Sequence, residues 1–261
     1  MRRKIQTCAL AAVLATALAA TGGCKDGKNA KAGGGDRPAT PIEAFAERIA
    51  QVPAAALEDT LRRLAAGGPP QNAYASYLLG NRFYVAAGDT ALAKGWKDPA
   101  VTTLLDSAEV RFMASIAADS TLLEPMVNLG SLWDDRAEQS TSQVERVEHG
   151  LKAESFYRLA LRVDPKDEKA RCNLGSLFLR QRKQSQALAE FKQVLADHPQ
   201  SALAHYNIAI MFAEEKIYRE ALAEWELAVK FDPDGDIGAR SAENIRIVTE
   251  LMNAPDPQLG Q

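Results

Sequence analysis

Three histidines, three cysteines and 34 acidic side chains are the groups in this 261-residue chain that could hold a metal or move a proton. None of His149, His198 and His205 stands at metal-ligand spacing from another His or from a Cys. No Cys-x-x-Cys-His, Gly-x-Ser-x-Gly or glycine-rich phosphate loop occurs. One stretch does have ligand spacing. Asp232, Asp234, Asp236 and Glu243 take positions 1, 3, 5 and 12 of a calcium loop, but the glycine needed at position 6 is Ile237. Asp236 equally suits the N-cap of a following helix, so calcium and a plain helix start both stay open. The other carboxylates are spread over helix surfaces. The sequence therefore assigns no catalytic residue, no metal and no cofactor, and the chain reads as a non-enzyme.

The elements around these groups repeat. Ala187-Leu188-Ala189-Glu190-Phe191 returns 34 residues later as Ala221-Leu222-Ala223-Glu224-Trp225, as do Asn173 as Asn207, Phe178 as Phe212 and Pro199 as Pro233. A unit of that length is a helix–turn–helix that cannot bury its apolar face alone and must stack on neighbours. Small residues alternate with large ones, as interlocking helices require, and the prolines end each second helix because they cannot donate a backbone N–H to a further turn.

The period and these slots resemble the tetratricopeptide repeat (TPR) family. That family has Leu, Gly and an aromatic at positions 7, 8 and 11 of helix A, and Ala, an aromatic, Ala and Pro at 20, 24, 27 and 32. Residues 168–201 supply Leu174, Gly175, Phe178, Ala187, Phe191, Val194 and Pro199, and residues 202–235 supply Ile208, Ala209, Phe212, Ala221, Trp225, Ala228 and Pro233. In these units the aromatic at 24 is expected to fill the gap to the next repeat. A stretched unit over 123–167 carries Asn128, Leu129, Gly130 and Trp133, then Ala153, Tyr157, Ala160 and Pro165, with 11 extra residues between its helices, within 135–150. Longer helices and a protruding loop are both compatible with that excess. A degenerate unit over 71–122 carries Leu79, Gly80, Phe83, Ala108 and Phe112. Its excess holds Gly88, Gly95 and Pro99, which predict a long loop around Trp96. A helical hairpin over 41–70 precedes the units, and a capping helix and tail over 236–261 follow. The resemblance implies an all-α fold, a right-handed superhelical solenoid of antiparallel helix pairs, with a disordered N-terminal tether.

The front of the chain reads as a sorting signal over 1–23. Arg2, Arg3 and Lys4 precede 13 uncharged residues, Cys8–Ala20, too few to span a ~30 Å hydrocarbon core. Ala17-Leu18-Ala19 is one cleavage reading. Thr21-Gly22-Gly23-Cys24 resembles the lipobox of bacterial lipoproteins, with Thr21 where that family has Leu, and implies lipidation of Cys24. Residues 24–40 are the lipidated Cys and a flexible linker, whose 16 residues after Cys24 reach about 20–25 Å root-mean-square. With Cys8 removed and Cys24 acylated, Cys172 is the one thiol that remains, and a buried thiol needs no disulfide; an unacylated Cys24 on the linker and a Cys24–Cys172 disulfide are the other options. Losing residues 1–23 removes three bases and no acids, taking the net charge from −3 to about −6 and arguing against a nucleic-acid partner.

By the same resemblance, the inner face comes from helix A. It comprises Tyr77, Asn81, Tyr84, Asn128, Lys169, Asn173, Arg180, Tyr206, Asn207 and Ile210. Asn81, Asn128 and Lys169 match a pattern with which some TPR proteins clamp a C-terminal carboxylate. Tyr77 and Asn173 stand where that pattern has cations. The expected function is a lipid-anchored adaptor or scaffold for other envelope proteins, bound as protein or peptide in the groove. Lys25 after Cys24 resembles outer-membrane sorting, facing the periplasm. A soluble exported peptide-binding protein is the alternative. An enzyme with its site in the stretches around Trp96 or 135–150, using Asp134 or Asp135, is the third reading.

Overall fold

The computed structural model describes residues 40–253. The tether, Cys24 and the tail from Ala254 lie outside them. Among the described residues there are eleven helices and no strands. They fall into two compact units that divide between Ala170 and Arg171. No described helix is long and apolar enough to cross a membrane.

The N-terminal unit opens with α1 (Pro41–Ile49) and α2 (Ala54–Ala65). Helix α1 begins in a capping box: the Thr40 N–H donates to Glu43 Oε2 at 2.7 Å and the Glu43 N–H to Thr40 Oγ1 at 3.3 Å. Two long hairpins follow, α3 (Gln71–Lys94) with α4 (Pro99–Ala118) and α5 (Leu123–Gln139) with α6 (Gln143–Val163). The long loop expected around Trp96 is not there. Gly88 is buried inside α3, and only residues 95–98 connect the helices. Gly95 ends α3 at φ 89°, where a side chain would be strained, and Asp98 caps α4 by accepting the Ala100 N–H at 2.9 Å. The 11 extra residues of the next hairpin likewise go into helix. Its connection is 140–142, and Ser142 caps α6. These four helices run 24, 20, 17 and 21 residues.

The C-terminal unit takes in α7 (Glu168–Arg180, from Arg171 on), α8 (Gln184–Asp197), α9 (Ala202–Glu214), α10 (Tyr218–Phe231) and α11 (Asp236–Asn253). Its repeat helices run only 13 or 14 residues. Both repeats turn alike. Arg182 and Lys216 sit at φ 61° and 62°, and the next N–H reaches back to Phe178 O and Phe212 O, both at 2.9 Å.

One seam holds each hairpin. A Cβ on Gly80 would fall 2.6 Å from the Phe112 ring, and Gly130 and Gly175 face Tyr157 and Phe191 still more closely. The aromatic at position 24, expected to fill the gap to the next repeat, lies first against the glycine of its own hairpin. Phe112, Tyr157, Phe191 and Trp225 are all at most 1% exposed. Cys172 is fully buried with Val194 and Ala204.

Candidate functional site

In the N-terminal unit, helix A of each long hairpin brings two amides together. Asn128 Nδ2 donates to Asn81 Oδ1 at 2.6 Å, and both residues are half-buried. The bond uses one donor and one acceptor. The pair still holds an amide N–H of Asn81 and the carbonyl oxygen of Asn128, the complement of one peptide unit. Beside it the Tyr84 hydroxyl donates to Asp135 Oδ2 at 2.6 Å, and the Tyr84 ring meets Phe112 edge-on at 6.4 Å. Tyr77 is 8% exposed, tilted against the same Phe112 at 6.2 Å. Lys169 is exposed in the first turn of α7, close to a carboxylate group of Glu124 and Asp167. Burial pushes both of those carboxyls above the usual range, a hydrogen bond from a backbone N–H lowers each, and their mutual repulsion raises Glu124 further.

In the C-terminal unit, Asn173 and Arg180 are half-buried on α7. Burial pushes the Glu214 carboxyl up, while Arg182 and Arg180 draw it back down. Tyr206, Asn207 and Ile210 have exposures of 2, 3 and 1%. Asn207 spends its side chain inside the fold, accepting from Ser176 Oγ at 3.2 Å and donating to Leu203 O at 2.9 Å. Tyr206 is buried, which raises its hydroxyl above the ordinary range, and it hydrogen-bonds Asn244 of α11. The C-terminal helix packs on α9 and covers this face, which repeat spacing alone does not reveal. Asp232 starts that helix: its Oδ2 accepts the Ile237 and Gly238 N–H groups at 3.0 and 3.1 Å. Of the calcium-spaced acids, Glu243 pairs with Arg246 at 2.6 Å and Asp236 with Arg240 at 2.6 Å.

The helix positions, the glycine–aromatic seams and the matched turns agree with a family model. The tetratricopeptide repeat model matches residues 172–236. Residues 172–236 of this chain are tetratricopeptide repeats. Among solved structures, a thermophilic TPR protein of Thermus thermophilus superposes with a TM-score of 0.56 at 20% identity, over 78% of this chain and 95% of that one. YrrB, a TPR protein with an unusual peptide-binding site, gives 0.42 at 19% over 79% and 92%. MamA gives 0.46 at 13% over 76% and 97%. The first of these likenesses is one of fold. No curated protein matches the chain. Tetratricopeptide repeats are typically protein-interaction scaffolds.

A second cluster is only partly visible in the sequence. The extra turns of the long hairpins and the 95–98 connection enclose a cavity of about 330 Å³, lined among others by Trp96, Leu105, Asp106, Asp135, Arg136 and His149. Below it Trp133 is 7% exposed, with Arg136 Cζ 4.5 Å and Lys152 Nζ 4.1 Å from its ring centre. Trp96 and the 135–150 stretch stand out in the sequence as the excess over the repeat. Their meeting needs the helical extensions, which spacing leaves open.

Proposed function

We propose that this protein is a lipid-anchored periplasmic adaptor. In this reading it is tethered through Cys24 to the outer membrane and holds an extended segment of another envelope protein on its helix-A faces. The observation that carries the binding part is the Asn81–Asn128 pair, which offers one donor and one acceptor beside each other. An extended peptide has no internal partners for its N–H and C=O groups, so paired amides on a helix surface bind it without demanding a sequence. The lipobox-like Thr21–Cys24 and Lys25 support the anchoring part. Two acyl chains suffice for stable attachment.

The test is a crosslinking pull-down from membranes with wild type, Cys24→Ala, and Asn81→Ala/Asn128→Ala. Wild type is expected in the membrane fraction with a defined partner. Cys24→Ala should be released, and the double alanine variant should stay on the membrane and lose the partner. If wild type and Cys24→Ala are equally soluble, anchoring is wrong and the soluble exported reading replaces it. If the double variant recovers the same partner, the asparagine pair is not the contact.

A further inference from the structure

We propose that the cavity at the end of the two long hairpins is a pocket for a single basic side chain, lysine or arginine, of a partner polypeptide. The inference rests on the reading of the chain as a partner-binding protein, but it concerns a different set of residues.

At about 330 Å³ the cavity lies at the small end of the range for ligand pockets, ~300–1,000 Å³. One wall is apolar: Trp96 from the connection, and Val101 and Leu105 from α4, the last two at most 5% exposed. That wall suits the methylene stem of a long side chain. The opposite wall is polar, with Asp135 and Arg136 from α5 and His149 from α6. Asp135 is 8% exposed and held in place by the Tyr84 hydroxyl. Asp106 and Thr102, both exposed, form the rim, so a side chain can enter while its own backbone stays outside.

The charge of the lining selects the ligand. It carries two carboxylates, Asp106 and Asp135, against one guanidinium, Arg136. That guanidinium is already committed: Nη2 lies 2.5 Å from Asp106 Oδ1 and Nη1 3.0 Å from Glu109 Oε2. An incoming anion would have to compete with two carboxylates for it. His149 adds to the bias. The Ser140 hydroxyl has one proton and donates it to Arg136 O at 2.7 Å, so it accepts from His149 Nδ1 at 3.0 Å. This hydrogen-bond network assigns the Nδ1–H tautomer of the neutral ring and leaves Nε2 as an acceptor. Carboxylate oxygens, an imidazole acceptor and an indole face together favour a donor-rich cation on an aliphatic stem.

The test is a titration of the full chain, watched by NMR at the Trp96 indole N–H and the His149 ring. The probes are N-acetyl-arginine amide, its neutral isostere N-acetyl-citrulline amide, and spermidine. Arginine amide should move both signals, with citrulline amide weaker by about tenfold or more because the charge-assisted bonds are lost. Asp135→Asn should weaken arginine binding by a similar factor. Trp96 lies in a connection, so Trp96→Ala provides a second variant that does not depend on the Tyr84 bond. It should weaken binding, read at His149, without changing the far-UV spectrum. Equal binding of the citrulline probe, or no shift with arginine amide at about 50 mM, overturns the proposal. Spermidine binding ten times tighter than arginine amide overturns the partner side chain in favour of a free polyamine. Because the probes are single residues, a negative result leaves the asparagine-pair reading standing, and loss of the membrane partner leaves this one standing.

Discussion

Replacing Gly175 by alanine tests whether the seam between position 8 and position 24 is what holds each repeat. A Cβ there would have two Phe191 ring carbons at 2.9 Å and a third closer still. Ordinary carbon contacts lie at about 3.5–4.0 Å, so the ring must retreat by roughly 1 Å. Phe191 is fully buried, and overpacking of a filled core costs about 1–3 kcal/mol. Helix propensity works the other way, because alanine is better than glycine inside a helix by about 1 kcal/mol. With a rigid ring and no free volume the steric side should win, for a net loss of about 1–2 kcal/mol. The assay is urea unfolding followed at 222 nm. It is paired with amide exchange over α7 and α8, because repeat arrays can open locally. Phe191→Leu removes the ring edge, so Gly175→Ala should be neutral or stabilising in that background, a coupling of at least about 1 kcal/mol. Gly68→Ala, with nothing within 4 Å of its Cβ, is the control and should stay within about 0.5 kcal/mol. If Gly175→Ala stabilises the wild-type background as propensity alone predicts, the seam is not a close contact and the reasoning fails.

Three further outcomes follow from the same geometry. Tyr84→Phe removes the donor to the buried Asp135 carboxylate and ties α3 less firmly to α5, so denaturant unfolding should show a loss of about 1.5–3 kcal/mol. Asp232→Ala should fray the start of α11 at a cost of about 0.5–2 kcal/mol. Faster exchange at Ile237 and Gly238 and a rise in Tyr206 exposure would report it. For pH, burial raises the folded-state pKa of Glu124 above its unfolded value. The folded state therefore binds the extra proton, and Glu124 favours folding below its unfolded pKa. This contribution is lost as pH rises through its folded pKa. Glu124→Gln should flatten that part of the stability–pH curve, and an unchanged slope would show that Glu124 is not buried as described.

The repeat slots were legible because each one is a packing demand. Gly175 and Phe191, or Gly130 and Tyr157, cannot be exchanged without filling or emptying the seam, so their spacing survives in the sequence. The ends of the hairpins were not legible. Gly88, Gly95 and Pro99 read as a loop because glycine and proline usually punctuate helices, yet Gly88 lies buried within α3 and only Gly95 and Pro99 mark boundaries. Tyr206, Asn207 and Ile210 occupy helix-A positions that an internal repeat turns to a partner. Here the following element is α11, and no repeat rule states what a terminal helix covers. Arg182 and Lys216 were invisible for another reason: left-handed turns favour glycine, and neither residue type advertises one.

The long hairpins show why length is free in this architecture and the seam is not. The glycine and its aromatic are 32 residues apart in Gly80–Phe112, 27 in Gly130–Tyr157 and 16 in Gly175–Phe191, yet each pair makes the same contact. Residues added at the turn between two antiparallel helices lengthen both and leave every contact below them in place. Eleven residues make about three helical turns. An insertion on the other side of either slot would instead rotate the seam out of register. Extra turns on one hairpin would extend into solvent, but α3–α4 and α5–α6 are long together and pack along their added length. Trp96 and Asp106 of one thereby meet Asp135 and His149 of the other. The cavity exists because two neighbouring units were extended at the same end, a feature the short repeats of the C-terminal unit lack.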